Sequence, residues 1–135
     1  MSISRREFIA FLGAGAAAVL GSACASLPER PTMYGLIGKI NATPGQRDAL
    51  AAILIKGVSG MPGCFSYVVA NDPASPDSLW VTEVWESQEA HRASLSLPSV
   101  QQAIAEGRPK IAGFGERYET IPLGGHGLVA SSTKA

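Results

Sequence analysis

From residue 33 onward the chain switches between two hydrophobic periods, and the switches mark its elements. Met33 to Ile40 carries apolar residues at Met33, Tyr34, Leu36, Ile37 and Ile40, with two glycines among them. It reads as a strand that another backbone can approach closely. Thr43, Pro44 and Gln46 then offer an N-cap hydroxyl, a proline at the first helical position and a capping-box partner. They predict a helix with Leu50, Ile53, Leu54 and Val58 on one face, ended by Gly57 and Gly60. Arg47, Asp48 and Lys56 of that helix reach solvent. Pro62-Gly63 is a turn, and Cys64 to Ala70 alternates with a period of two. Phe65, Tyr67 and Val69 fall on one side of this strand, and Cys64, Ser66, Val68 and Ala70 on the other. Asn71 to Ser78 is a polar turn. Leu79 to Glu86 is the next strand, with Leu79, Val81, Glu83 and Trp85 on one face and Trp80, Thr82, Val84 and Glu86 on the other. Ser87 caps a second helix carrying Ala90, His91, Ser94 and Leu95. Pro98 breaks or restarts it, a helical piece from Val100 to Glu106 stops at Gly107, and Phe114 to Ile121 is a last strand.

The order β-α-β-β-α-β predicts an α+β, ferredoxin-like domain: an antiparallel sheet with helices on one face. The sheet's other face holds Trp80 and Val84, with Val68 or Phe65 beside them. That is too much apolar surface to leave wet, and a second copy is the obvious cover. A face-to-face homodimer is therefore expected.

The N-terminus has a different pattern. Ser4-Arg5-Arg6-Glu7-Phe8 precedes an uncharged segment from Phe8 to Leu20, and small residues surround Ala23-Cys24-Ala25. This is the layout of an export signal peptide over residues 1–25, too short in its apolar part to span a bilayer. Gly13, Gly15 and Gly21 argue against a buried N-terminal helix. The paired arginines resemble a twin-arginine signal, which predicts a folded protein exported to the periplasm or beyond. Leu20 lies one place too far back for the usual lipoprotein pattern, so cleavage after Ala25 fits better than a lipid anchor on Cys24. Residues 26–32 then form a leader, 33–122 the domain, and 123–135 a flexible tail.

Charge and cysteine usage exclude several classes. The chain has 11 basic and 11 acidic residues, and 9 and 10 of these lie in 26–135, with no basic patch for nucleic acid. Cys64 is the lone cysteine past Cys24, so no internal disulfide is available and the core must stand on packing. No His, Cys and carboxylate cluster has metal-ligand spacing, and no glycine-rich loop leads into a helix.

Pro62-Gly63-Cys64-Phe65-Ser66-Tyr67, the loop from Asp72-Pro73 to Asp77-Ser78, and the run from Thr82 to Ala90 with Trp85-Glu86-Ser87 resemble the antibiotic biosynthesis monooxygenase domain. The resemblance spans about residues 33–122. It implies a dimeric α+β barrel with a pocket between sheet and helices. Some members oxidise phenols or quinols with molecular oxygen and without metal or flavin, so no cofactor is expected. Others degrade haem, using an Asn on the first strand and a later helical His. Here the first strand offers Gly35, Ile37 and Lys39, with Asn41 already leaving it, and the position ten past Trp85 is Leu95, so haem cleavage is disfavoured. Trp85 matches the strand tryptophan that lines the pocket of the oxygenases. His91 falls earlier on its helix than the usual histidine.

Oxygenation without a cofactor needs a base that ionises the phenol and a dry wall that shelters the radical pair. His91 is a candidate base, or else a solvent-facing helix residue. Glu83 shares a face with Trp85 and is either a second pocket group with a raised pKa or a buried carboxylate paired with Arg92 or Arg117. Trp85 and Tyr67 are candidate substrate-binding residues; as core, Trp85 would be a packed aromatic and Tyr67 a rim residue. Cys64 reads as a small filler, and His126 as part of the tail or of a segment wrapping the partner. The leading function is a cofactor-independent monooxygenase or quinol oxidase acting on a small aromatic substrate with molecular oxygen. The alternatives are a non-catalytic dimeric binding protein for a small apolar ligand and a structural dimer without a pocket.

Overall fold

The computed structural model describes residues 32–128. The signal-peptide reading, with Arg5, Arg6 and Cys24, lies outside the described residues, as do 26–31 of the leader and 129–135 of the tail. The elements are β1 (Tyr34–Ala42), α1 (Arg47–Gly57), β2 (Cys64–Asn71), β3 (Ser78–Trp85), α2 (Gln88–Ser94), α3 (Pro98–Gly107) and β4 (Ile111–Thr120), with a 3-10 turn at Arg108–Lys110 before β4. The sheet runs β2-β3-β1-β4 with every neighbouring pair antiparallel. The α+β, ferredoxin-like class follows, with Pro98 dividing the second helical region into α2 and α3.

Two local expectations fail for physical reasons. Thr43 does not cap α1. The Gln46 N–H donates to the Thr43 carbonyl at 3.0 Å, and Gly45 has φ 76°, so Thr43-Pro44-Gly45-Gln46 is a reverse turn. The helix begins after it, at Arg47. The alternation of β2 also breaks. Cys64 pairs with Trp85 and Ser66 with Val84, so Phe65 is the extra residue of a β-bulge. The bulge moves Cys64 onto the face of Tyr67 and Val69, where it packs against the cluster around Trp85.

The register places the helix-side residues in rows across the sheet. Tyr34 lies opposite Trp85, and Leu36 opposite both Glu83 and Glu119. Gly38 lies opposite Val81 and Arg117, and Tyr67 opposite Glu83. Tyr34, Met61, Trp85 and Val100 form one buried cluster, and Ala42, Leu50 and Leu79 another. On edge strand β4, Phe114 on the helix side is 75% exposed, and Tyr118, opposite Ile37 on the outer face, is 55% exposed.

The outer sheet face is less bare than its sequence implies. Asp72 takes a hydrogen bond from Trp80 Nε1 at 3.2 Å and an ion pair from Lys39 at 2.8 Å, and the ammonium sits over the Trp80 ring. Asp72 also accepts from the Ala74 N–H, which organises the β2–β3 loop. Val68 remains 51% exposed on this face, opposite Thr82.

Candidate active site

The site is assembled by the two segments on either side of α2's start. Met61-Pro62-Gly63-Cys64 is a turn closed by Cys64 N–H on Met61 O, and the Gly63 carbonyl accepts the Glu86 N–H at 2.8 Å. Ser87 follows as N-cap, accepting from the Ala90 N–H at 3.1 Å. A side chain at Gly63 would run into Ala90 and the Glu86 carboxyl. Turn and helix start therefore lock together, and this fixes the rotation of α2 that turns His91 toward the sheet.

His91 lies between two aromatic rings. Its centroid is 5.3 Å from that of Trp85, edge-on, and 5.3 Å from that of Tyr34. Its Nε2 is 3.6 Å from Glu83 Oε2. The same Glu83 oxygen accepts the Trp85 Nε1–H at 2.8 Å. Of the two readings of Glu83, the pairing with Arg92 or Arg117 is not what forms: its hydrogen-bond donor is the indole two residues along its own strand. Arg117 acts on it only through space. Tyr34 in turn donates its hydroxyl proton to Glu119 at 2.8 Å, and Arg117 reaches both that hydroxyl, at 3.5 Å, and Glu119, at 3.2 Å.

His91, Glu83 and Trp85 border a cavity of about 650 Å³ between sheet and helices. Ile40, Tyr67, Glu83 and Trp85 lie on its sheet side; Leu50 and Leu54 of α1 with Val58 just after it, His91 of α2 and Val100 and Ala103 of α3 line the rest. The structure thus brings His91, Glu83, Trp85 and Tyr67 to one cavity. Trp85 is 1% exposed with its nitrogen committed to Glu83, so it offers the space a wall rather than a free stacking face. Tyr67 has a half-buried ring on the cavity wall. His126 lies in an exposed turn near the end of the described chain.

The electrostatics follow from this dry setting. Burial pushes the Glu83 carboxyl up from its ordinary range, against the Trp85 hydrogen bond and the Arg117 charge. Burial pushes His91 down, helped by Arg117 and Arg92 and opposed by Glu119. His91 is therefore a neutral imidazole at neutral pH, able to accept a proton. Burial, then the charge of Glu83, holds the Tyr67 phenol far above its usual value, so it stays protonated and can donate. Burial and the Glu83 charge likewise keep Cys64 as a thiol, which suits a filler.

Tyr34 is a site residue that the sequence does not single out, and Arg117, considered there as a partner for Glu83, sits instead with Tyr34 and Glu119. Arg117 and Glu119 stand two apart on β4, so they share a face, but only the β1–β4 register shows that this face meets Tyr34.

Among the described residues no cluster of His, Cys and carboxylates could hold a metal ion, and no helix is long and apolar enough to cross a membrane. The family model for antibiotic biosynthesis monooxygenase matches residues 33–106. The chain belongs to the antibiotic biosynthesis monooxygenase family. A solved structure from Chloroflexus aurantiacus, described as an antibiotic biosynthesis monooxygenase, is 68% identical, covering 73% of this chain and 100% of its own, with a TM-score of 0.71. A Caulobacter crescentus structure of the same description is 16% identical over 70% of this chain and 93% of its own, with a TM-score of 0.63. A Pseudomonas aeruginosa structure is 19% identical over 70% and 98%, with a TM-score of 0.61. The latter two show the fold alone. No curated protein sequence matches this member of the family.

Proposed function

We propose that this protein is a cofactor-independent monooxygenase or quinol oxidase acting on a small phenolic or hydroquinone substrate. Family membership supports monooxygenase-type chemistry. The observation that carries the finer reading is a neutral, half-buried His91 facing a mostly apolar cavity beside a buried carboxylate. The phenol enters the cavity and gives its O–H proton to His91 Nε2. The imidazolium that forms is held against Glu83, 3.6 Å away, in a low-dielectric setting where that pairing is strong. The electron-rich anion then reduces oxygen. A hydroquinone loses two electrons and two protons in all, giving quinone and hydrogen peroxide. An anthrone-type methylene instead takes one oxygen atom as carbonyl, and the other leaves as water. Trp85 and the aliphatic side chains of α1 and α3 keep bulk water from the radical pair.

A homodimer joined through the outer sheet faces belongs to the same proposal, supported by the exposed Val68 and Tyr118 on that side. Export by the twin-arginine route would place the reaction outside the cytoplasm.

The test compares His91→Ala with wild type in steady-state oxygen uptake and in ligand binding. A base acts in the transition state, so kcat is expected to fall by about 100-fold while affinity for a non-oxidisable aromatic changes little. Equal kcat in the two proteins would remove His91 as the base. A wild type that binds aromatics but consumes no oxygen would make it a binding protein for small apolar ligands.

A further inference from the structure

A second cavity, of about 240 Å³, adjoins the first and shares Ile40, Tyr67, Glu83 and Phe114 with it. Its sheet-side wall is Leu36, Gly38 and Val81, and Arg117 lies on its β4 side. The chamber exists because Gly38 has no side chain. Gly38 lies on β1 directly between Val81 and Arg117, and a Cβ built there would meet nothing within 4 Å. Its φ is not positive, so the backbone does not require glycine.

We infer that this side chamber is an anion subsite in which Arg117 receives the phenolate oxygen of the substrate. The inference rests on the proposed oxidation and assigns a group that the base alone leaves unexplained. A substrate oxygen at the Tyr67–Glu83 junction has His91 on the main-cavity side and Arg117 on the chamber side.

Charge accounting favours that division of labour. Once the phenol proton sits on His91, the imidazolium pairs with Glu83, and the phenolate is left needing a cation. Among the described residues Arg117 is paired only with Glu119, and that pair is open to water, with side chains 59% and 50% exposed. Such a pair holds its guanidinium weakly. The group has five N–H donors, and Glu119 and the Tyr34 hydroxyl engage it at one nitrogen, Nη2. Tyr34 and Glu119 are positioning residues here: they hold Arg117 at the chamber while leaving donors for a ligand. The Tyr67 hydroxyl, kept protonated, is a second donor at the junction. The other charged groups at the chamber are Lys39, committed to Asp72 at 2.8 Å, and Glu116. Cys64 lies near Glu83 as a neutral thiol.

The test uses 4-nitrophenol, whose absorbance reports ionisation whether or not the protein oxidises anything. It is titrated over pH 5 to 9 with wild type, Arg117→Gln, Arg117→Lys and Gly38→Val. The wild type is expected to bind the phenolate in preference to the phenol, with the bound midpoint below that of free 4-nitrophenol. Arg117→Gln should weaken phenolate binding by about tenfold and leave phenol binding unchanged. Arg117→Lys should restore part of it. Gly38→Val should fill the chamber and lose the preference with Arg117 still present. Thermal melts of each variant check the fold. A bound midpoint at or above the free one, no binding at millimolar concentration, or Arg117→Gln matching wild type would each overturn the inference. Phenolate preference without oxygen uptake would keep the subsite and sink the oxidation; oxygen uptake with an indifferent Arg117→Gln would do the reverse.

Discussion

Trp85→Phe isolates the contact at the centre of the site. The wild-type indole is buried, and its one polar atom donates to the buried Glu83 carboxylate at 2.8 Å. Phenylalanine keeps the ring in place but vacates part of the indole's volume, which costs about 1–2 kcal/mol. It also removes a hydrogen bond to an ionised group, a further 1.5–3 kcal/mol or so. Above the Glu83 pKa the loss is thus roughly 2.5–5 kcal/mol, visible in urea melts and as a fall in Tm of at least about 10 °C. The pH dependence identifies the cause. The indole bond lowers the Glu83 pKa, which burial has already raised, so removing it raises the folded value further. A carboxyl with a raised folded pKa contributes stability at low pH that is lost as pH rises through that value. The Trp85→Phe deficit should therefore grow with pH, by about 1–2 kcal/mol from pH 4 to pH 8. In a Glu83→Gln background, which keeps a neutral acceptor, the deficit should be the same at both pH values. A deficit independent of pH in the wild-type background would refute the claim that the indole serves the carboxylate.

Other consequences can be checked separately. His91, with its pKa depressed by burial, contributes stability that is present above the ordinary histidine value and lost as pH falls; imidazole NMR should find its midpoint below 6.5. For the same reason kcat/KM should rise with pH through that depressed midpoint and then level off, and a midpoint above the ordinary value would contradict the burial argument. Val68→Glu on the exposed outer face should shift a dimer toward monomer in sedimentation at micromolar concentration, whereas a wild type that is already a compact monomer removes the sheet-face dimer. Replacing Arg5 and Arg6 by Lys should trap precursor in the cytoplasm, and mass spectrometry of the mature N-terminus should place cleavage after Ala25; continued export would point to the general secretory route.

The element order was legible because each strand and helix keeps its own period: Leu79 to Trp85 alternates cleanly, and the spacing through α1 is helical. Ser87 was legible as a cap for the same local reason. The misreadings have local causes too. Thr-Pro-Gly-Gln satisfies both a capping box and a reverse turn, and the positive φ at Gly45 decides for the turn. The Phe65 bulge leaves the alternation of types intact while reversing the face, so composition cannot show it. At the candidate site, the two-residue period puts Glu83 on the face of Trp85, the family resemblance points to Trp85, and His91 stands out as a base that titrates near neutrality. The partner of Glu83 was sought among distant arginines, although the nearest donor on its own face was Trp85. Tyr34 with Glu119 is 85 residues apart in sequence, and only sheet register brings the two together.

Oxygen uptake by metal-free protein tests the account most directly. Chelator-treated wild type is offered a panel of hydroquinones and anthrone-like phenols in an oxygen electrode, beside His91→Ala and a buffer control. The account predicts uptake by wild type above the spontaneous rate on at least one ionisable aromatic, with one oxygen consumed per quinone formed, and about a 100-fold lower turnover in His91→Ala. Uptake that appears only when metal or flavin is added back, or equal rates in wild type and His91→Ala, would contradict it.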